Sequence, residues 1–237
     1  MDQTKEVNNC TPVKAVLMLI IVLYHSMVVY AGGGYTAWGP CERAMNAPIL
    51  GYIAEWMNSF HIYAFTLISG YIFYYIKHEK GGYQKYLPFI ANKAKRLLVP
   101  YVFIAAIWVV PVHIFFYGTN NIIKKFALGT APSQLWFLLM LLWVFAIFWF
   151  ISDMANRKPL FGGIVVCVLY CVGMFVPNIY CLSMGLQYMP FFYIGFVIRK
   201  LNLGDKVLYK IPSIIYFVVD IGLFTLCEVI GNCDGII

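Results

Sequence analysis

Two ionisable side chains stand in an otherwise apolar stretch near the start of the chain, residues 13–31. Lys14 lies at one end of this stretch and His25 inside it. At about 100° per residue, their spacing amounts to three helical turns plus roughly 20°, so both side chains share one helix face, roughly 16 Å apart along the axis. An ionisable group inside a membrane span is costly and is a functional candidate by default. The alternative for His25 is an interhelical hydrogen bond that only holds the bundle together.

Membrane helices must position these two residues. Hydrophobic residues make up 62% of the chain and charged residues 11%, and the mean hydropathy is +0.78, which excludes an ordinary soluble domain. A span needs about 20 apolar residues. The fold class predicted is an all-α transmembrane bundle of about seven spans, at residues 13–31, 50–76, 97–117, 134–152, 160–177, 185–199 and 211–231.

The distribution of basic residues predicts the orientation of the bundle. With a cytoplasmic N-terminus, 14 of the 17 lysines and arginines fall on the inner side, and only Arg43, Lys124 and Lys125 fall outside. The largest inner segment is residues 77–96, which we predict to be a loop. The net charge of +7 therefore reflects topology in an inner or plasma membrane beside lipid headgroups, and we predict no nucleic-acid partner.

The remaining sequence features point to one domain covering residues 1–237. No internal repeat and no Gly-, Ser- or Pro-rich linker divides the chain. The seven cysteines form no close CxxC pair, and no cluster has metal-ligand spacing, so we predict no metal. A cleaved signal peptide ending at Val29-Tyr30-Ala31 is an alternative that would remove His25.

Several segments together resemble the integral-membrane acyltransferase 3 family, which O-acylates cell-surface polysaccharides and related glycans. The segments that carry the resemblance are VKAVLMLIIVLYHS at 13–26, FHIYAFTLISGYIFYY at 60–75, KAKRLLVPYVF at 93–103, LWFLLMLL at 135–142 and YMPFFYIGFVIRK at 188–200. The chain differs from the family in two ways. Lys14 stands where arginine is frequent, and about seven spans replace about ten, which suggests that the last family helices are lacking.

The resemblance implies the transfer of an acyl group, usually acetyl, from acyl-CoA to a hydroxyl of a cell-surface or lipid-linked glycan. His25 would be the general base, because an imidazole with a pKa near 6.5 can take the hydroxyl proton. Lys14 and Arg96 would contact the phosphates of acyl-CoA. An interfacial anchor is the alternative role of Arg96.

Three other polar positions complete the candidate site. Glu55 lies at a depth similar to that of His25, so its carboxylate could orient the imidazole. The alternative is a hydrated Glu55 at the headgroup boundary. His61 is not on the face of Glu55 and lines a pore or packs. The Ser69-Gly70 pair is interpreted as a helix contact rather than a nucleophile.

Asp220 and Glu228 are eight residues apart in the last predicted span, which suggests contact with missing or partner helices. Such contact makes a partner subunit conceivable. A transporter or flippase component and a non-catalytic membrane subunit are the alternatives to an enzyme, although no inverted repeat favours transport.

Overall fold

The computed structural model describes residues 3–31, 48–117, 135–206 and 208–234, and within these ranges it is helical without strands. We number the α-helices in chain order. They are α1 (Gln3–Ala31), α2 (Pro48–Tyr74), α3 (Tyr86–Ile104), α4 (Val110–Tyr117), α5 (Trp136–Arg157), α6 (Pro159–Phe175), α7 (Leu182–Lys200), α8 (Leu203–Lys206) and α9 (Ser213–Asp234). Two π-helical turns, Tyr75–Glu79 and Ala105–Val109, follow α2 and α3.

The all-helical class is confirmed, and the membrane character of the chain is supported. Among the described residues, three helical segments are long and apolar enough to cross a membrane, Tyr86–Val112, Trp136–Arg157 and Ile179–Lys200. Shorter apolar helices are Pro12–Met27, Pro159–Phe175 and Ser213–Cys227. The number of seven spans and the cytoplasmic N-terminus stay predictions. Arg43, Lys124 and Lys125, predicted on the outer side, lie outside the described residues.

The loop predicted at residues 77–96 is wrong over its second half, because α3 already begins at Tyr86. Pro88 falls in the first turn of the helix, where a missing N–H costs nothing. Lys93 of α3 packs against an aromatic ring of α5, with its Nζ 4.0 Å from the centroid of the Phe145 ring. A lysine with such an aromatic partner does not require a loop.

The chain forms two compact units, each described here by itself. Unit 1 comprises residues 1–65 and 201–237, and unit 2 comprises residues 66–200. In unit 1, α1 and α2 pack antiparallel, since Tyr24 contacts Ala54 and Met57 while Lys14 lies over the ring of Phe65.

A second partner of α2 in unit 1 is α9. The indole N–H of Trp56 donates to Asp220 Oδ2 at 2.8 Å, and the hydroxyls of Tyr52 and Thr225 are 2.9 Å apart. Asp220 therefore has a hydrogen-bond partner within the chain, and its contact with missing or partner helices stays a prediction. The side chain of Glu228 lies outside what the structure describes.

The core of unit 2 is aromatic. Phe148 and Phe192 are completely buried with ring centroids 4.9 Å apart, and Phe73 packs edge-on against both rings. Edge-to-face contacts of this kind are worth about 0.5–1.5 kcal/mol each beyond the area they bury.

Two glycines let α2 and α7 approach at backbone distance within unit 2. A Cβ on Gly70 would lie 1.9 Å from the carbonyl oxygen of Phe192, and one on Gly195 would lie 1.9 Å from that of Leu67. The interpretation of Ser69-Gly70 as a helix contact is therefore confirmed for the glycine.

Charged residues gather at one end of unit 2, where the π-helical turn, the end of α5 and the end of α7 lie together. Buried Lys77 forms an ion pair with Asp153 at 3.1 Å and donates to Ser152 Oγ. Buried Arg199 donates twice to the Glu79 carboxylate, at 2.8 and 2.7 Å. Cations suit this end, because helix C-termini carry partial negative charge.

Candidate active site

Two histidines of unit 1 lie near the same tyrosine ring at the contact between α1 and α2. The ring of buried Tyr24 lies 4.7 Å from that of His25 and 5.3 Å from that of His61, measured between centroids. The structure therefore assembles a pair of imidazoles around an aromatic ring, where the sequence alone singled out one.

The tautomer of His61 follows from its hydrogen bond. Its Nδ1 lies 2.7 Å from the backbone carbonyl oxygen of Met57, one helical turn earlier on α2. A carbonyl oxygen only accepts, so Nδ1 carries the proton and the basic lone pair belongs to Nε2. His61 is 1% exposed, so the packing around it also fixes the ring orientation.

The burial pattern of α1 agrees with the predicted shared face of Lys14 and His25. Both are half-buried, and Leu17 and Tyr24 between them are buried. Residues on the opposite side of the helix, among them Val16, Leu19 and Val22, are more than half exposed. The Nζ of Lys14 lies 5.3 Å from the centroid of Phe65 on α2. One face of α1 therefore carries a cation near one end and an imidazole toward the other.

With this geometry established, comparison with known proteins places the chain. The model of the acyltransferase 3 family, described as an acyltransferase domain, matches residues 13–231. The chain belongs to this family. No curated protein and no solved structure matches it. The match begins one residue before Lys14 and so includes both Lys14 and His25.

In this acyltransferase 3 member, Glu55 is exposed on α2. The residues of α2 that pack toward Tyr24 are Ala54, Met57 and His61, at spacings of three and four. Glu55 lies about 100° around the helix from Ala54, on a different side. The structure therefore places His61 beside Tyr24, the neighbour of His25 in the chain, while a role of Glu55 in orienting His25 stays a prediction.

Arg96 lies on α3 in unit 2 and is exposed. Its side chain is available to an anion from solution or a headgroup, and its predicted contact with acyl-CoA stays a prediction. Among the described residues, no group of three or more histidine, cysteine, aspartate or glutamate side chains is placed to hold a metal ion.

The sequence did not predict the contact of His61 with Tyr24 on α1. The signal was present, because His61 follows Ala54 and Met57 by seven and four residues and so shares their helix face. What the sequence could not supply was the partner of that face. It also missed the buried cations Lys77 and Arg199, because positively charged segments next to spans are expected at the interface.

Proposed function

We propose that this acyltransferase 3 member transfers an acyl group, specifically acetyl, from acyl-CoA to a hydroxyl of a cell-surface or lipid-linked glycan in the inner or plasma membrane. The observation that carries the proposal is His25, a half-buried imidazole on the same face of α1 as Lys14, in a chain of this family. The membrane lipid, the acyl donor and the glycan are its proposed partners.

The proposed reaction needs one proton taken and one returned. His25 removes the proton of the acceptor hydroxyl while the hydroxyl oxygen forms a bond to the thioester carbonyl carbon. The carbon–sulfur bond then breaks, and the leaving thiolate takes the proton from the His25 imidazolium. The products are an ester and free CoA, and His25 ends as it began, as a neutral base.

The cations have binding roles in this proposal. Lys14 meets the phosphates or the pantetheine arm of acyl-CoA, and Arg96 offers a guanidinium to its phosphates. Glu55 is retained as the candidate that orients His25. These assignments predict effects on the KM for acyl-CoA from Lys14→Ala and Arg96→Ala, and effects on kcat from changes at His25.

The experiment measures transfer of radiolabelled acetyl from acetyl-CoA to membrane glycans. Membranes that contain the wild-type protein are compared with membranes that contain His25→Ala at matched protein levels. We expect label in the wild type and a loss of at least about 100-fold in the variant, as is typical when a general base is removed.

Ser26→Ala is the matched control on the same helix. Ser26 is exposed, and its Oγ donates to the carbonyl of Val22 within α1. We expect this variant to retain wild-type transfer. Equal label from wild type and His25→Ala would remove His25 as the base, and no label from a correctly inserted wild type would refute the proposed function.

A further inference from the structure

An apolar groove lies on the surface of unit 2 between α6 and α7, and the proposed reaction does not use it. Its volume is about 950 Å³, within the range of small-molecule sites in proteins. The lining residues on α6 run from Pro159 to Phe175, and those on α7 run from Pro190 to Val197. Gly163 has no side chain to fill the groove, and the nearest atom that a Cβ there would meet belongs to the ring of Tyr193, at the ordinary contact distance of 3.5 Å.

The chemistry of the lining selects a hydrocarbon chain as the occupant of the groove. The hydroxyl of Tyr193 already donates to the carbonyl oxygen of Pro159, and Cys167 and Cys171 offer thiols that are only weak donors. The other lining residues are apolar or glycine. A polar ligand would lose its hydrogen bonds to water here without replacing them, whereas a hydrocarbon chain loses nothing. Both helices fall in predicted membrane spans, where such chains surround the protein.

Positive charge marks one end of the groove. Arg157 and Lys158 directly precede Pro159, and both are exposed. At the same end, Lys200 at the end of α7 donates to the carbonyl oxygen of Asn156. In the orientation predicted from the sequence this end faces the cytoplasm, where basic residues next to a span attract anionic lipid headgroups. The charge therefore complements a ligand that is apolar along its length and anionic at its head.

We propose that the groove between α6 and α7 binds one chain of an anionic phospholipid whose phosphate is held by Arg157 and Lys158. The part of α6 that lines the groove, from Pro159 to Phe175, is about 24 Å long. One leaflet of the hydrocarbon core is about 15 Å thick, so the groove can take a whole acyl chain. The bound lipid goes beyond the proposed reaction, which requires no phospholipid at this place.

Native mass spectrometry of the full chain in detergent tests the headgroup contact. Phosphatidylglycerol and phosphatidylcholine with identical acyl chains are titrated separately, so the charge of the headgroup is the difference that matters. We expect the wild type to retain one phosphatidylglycerol at concentrations that leave phosphatidylcholine unbound. The double variant Arg157→Gln/Lys158→Gln should bind phosphatidylglycerol roughly 30-fold more weakly, at about fivefold for each charge removed.

Filling the groove tests the site of the acyl chain. Gly163→Leu places a side chain in the groove, and Ile164→Trp adds bulk at a residue that lines the groove and is 54% exposed, so it does not disturb the core. Each variant should lose the retained phosphatidylglycerol. Lys95→Gln is the matched control for lost charge, because Lys95 lies beside a different apolar hollow of unit 2, on α3, and should leave retention unchanged.

Three results would overturn the proposal. Equal retention of the two lipids by the wild type, or of phosphatidylglycerol by the wild type and the double variant, would remove the headgroup contact. Unchanged retention in a folded Ile164→Trp would remove the chain from the groove. Displacement of phosphatidylglycerol by an equimolar polyprenyl phosphate would identify a different lipid as the ligand. None of these readouts uses acyl transfer, so they decide the lipid site whether or not the proposed function holds.

Discussion

Replacing Gly70 by alanine tests the contact between α2 and α7 most directly. The added Cβ would lie 1.9 Å from the carbonyl oxygen of Phe192 and 2.8 Å from its carbonyl carbon. Cβ contacts essentially never fall below 3.0 Å, so the two backbones must separate by about 1.1 Å. Both atoms that the new methyl group would meet belong to the main chain of a helix, so no side-chain rotation can relieve the clash.

The expected cost follows from this geometry. Overpacking of a well-packed core costs about 1–3 kcal/mol when side chains can adjust. Here a backbone shift also pulls apart the aromatic contacts of Phe192 with Phe73 and Phe148. We therefore expect Gly70→Ala to cost about 3 kcal/mol or more, and Gly195→Ala to cost a similar amount, since its Cβ would lie 1.9 Å from the carbonyl oxygen of Leu67.

Thermal unfolding in detergent, followed by size-exclusion chromatography of a fluorescent fusion, measures this cost. Gly222→Ala is the control, because a Cβ on this glycine of α9 meets no atom within 4 Å. It should be neutral or slightly stabilising, since alanine is the better helix former. Unchanged stability of Gly70→Ala, or a loss equal to that of Gly222→Ala, would refute the backbone contact.

Three further predictions concern polar contacts. Glu79→Gln should lower the free energy of unfolding by about 3 kcal/mol, because it removes the carboxylate charge that pairs with buried Arg199. The neighbouring Lys80 is exposed, so Lys80→Gln should change little in the same melting assay. Burial lowers the pKa of His78 below 6.5, and the charges of Lys77 and Lys200 lower it further, although Asp153 opposes them. As the pH falls, His78 is therefore protonated in the unfolded chain at a higher pH than in the folded protein. The stability that this difference contributes is complete above pH 6.5 and should decline as the pH falls toward the folded pKa. His78→Gln should show a smaller loss of melting temperature between about pH 7.5 and 5.5, and equal losses would contradict this assignment. Trp56→Phe should lower the free energy of unfolding by about 1–3 kcal/mol, because the Asp220 carboxylate loses its indole donor. If Trp56→Phe costs as much in an Asp220→Leu background as in the wild type, the two side chains are not coupled and the hydrogen bond is refuted.

The periodicity of the apolar residues and the order of the motifs predicted much of the fold and part of the candidate site. The eleven-residue spacing of Lys14 and His25 predicted their common face, and the burial of Leu17 and Tyr24 on that face agrees with it. The Ser69-Gly70 pair predicted a close helix contact, because small residues let backbones approach. Both are local properties of one helix, which a sequence encodes directly.

The rest depends on partners that are distant in sequence. The length of the segment 77–96 and its lysines suggested a loop, but the aromatic ring that covers Lys93 belongs to α5. Arg199 reaches Glu79 across 120 positions of the chain. The sequence places His61 on an apolar face of α2, but it does not show that Tyr24 of α1 packs against that face. Positive charge near a span predicts its side of the membrane, and it says little about which anion the charge meets.

The bond between Trp56 and Asp220 has a consequence for how the protein enters the membrane. Asp220 falls in the span predicted at residues 211–231, and a carboxylate near the middle of a span costs about 2.5–3.5 kcal/mol during insertion. Trp56 precedes Asp220 by 164 positions, so it has left the ribosome long before α9 is made. The last helix is thus a poor candidate for independent insertion, and its integration should depend on α2 being already in place to receive it.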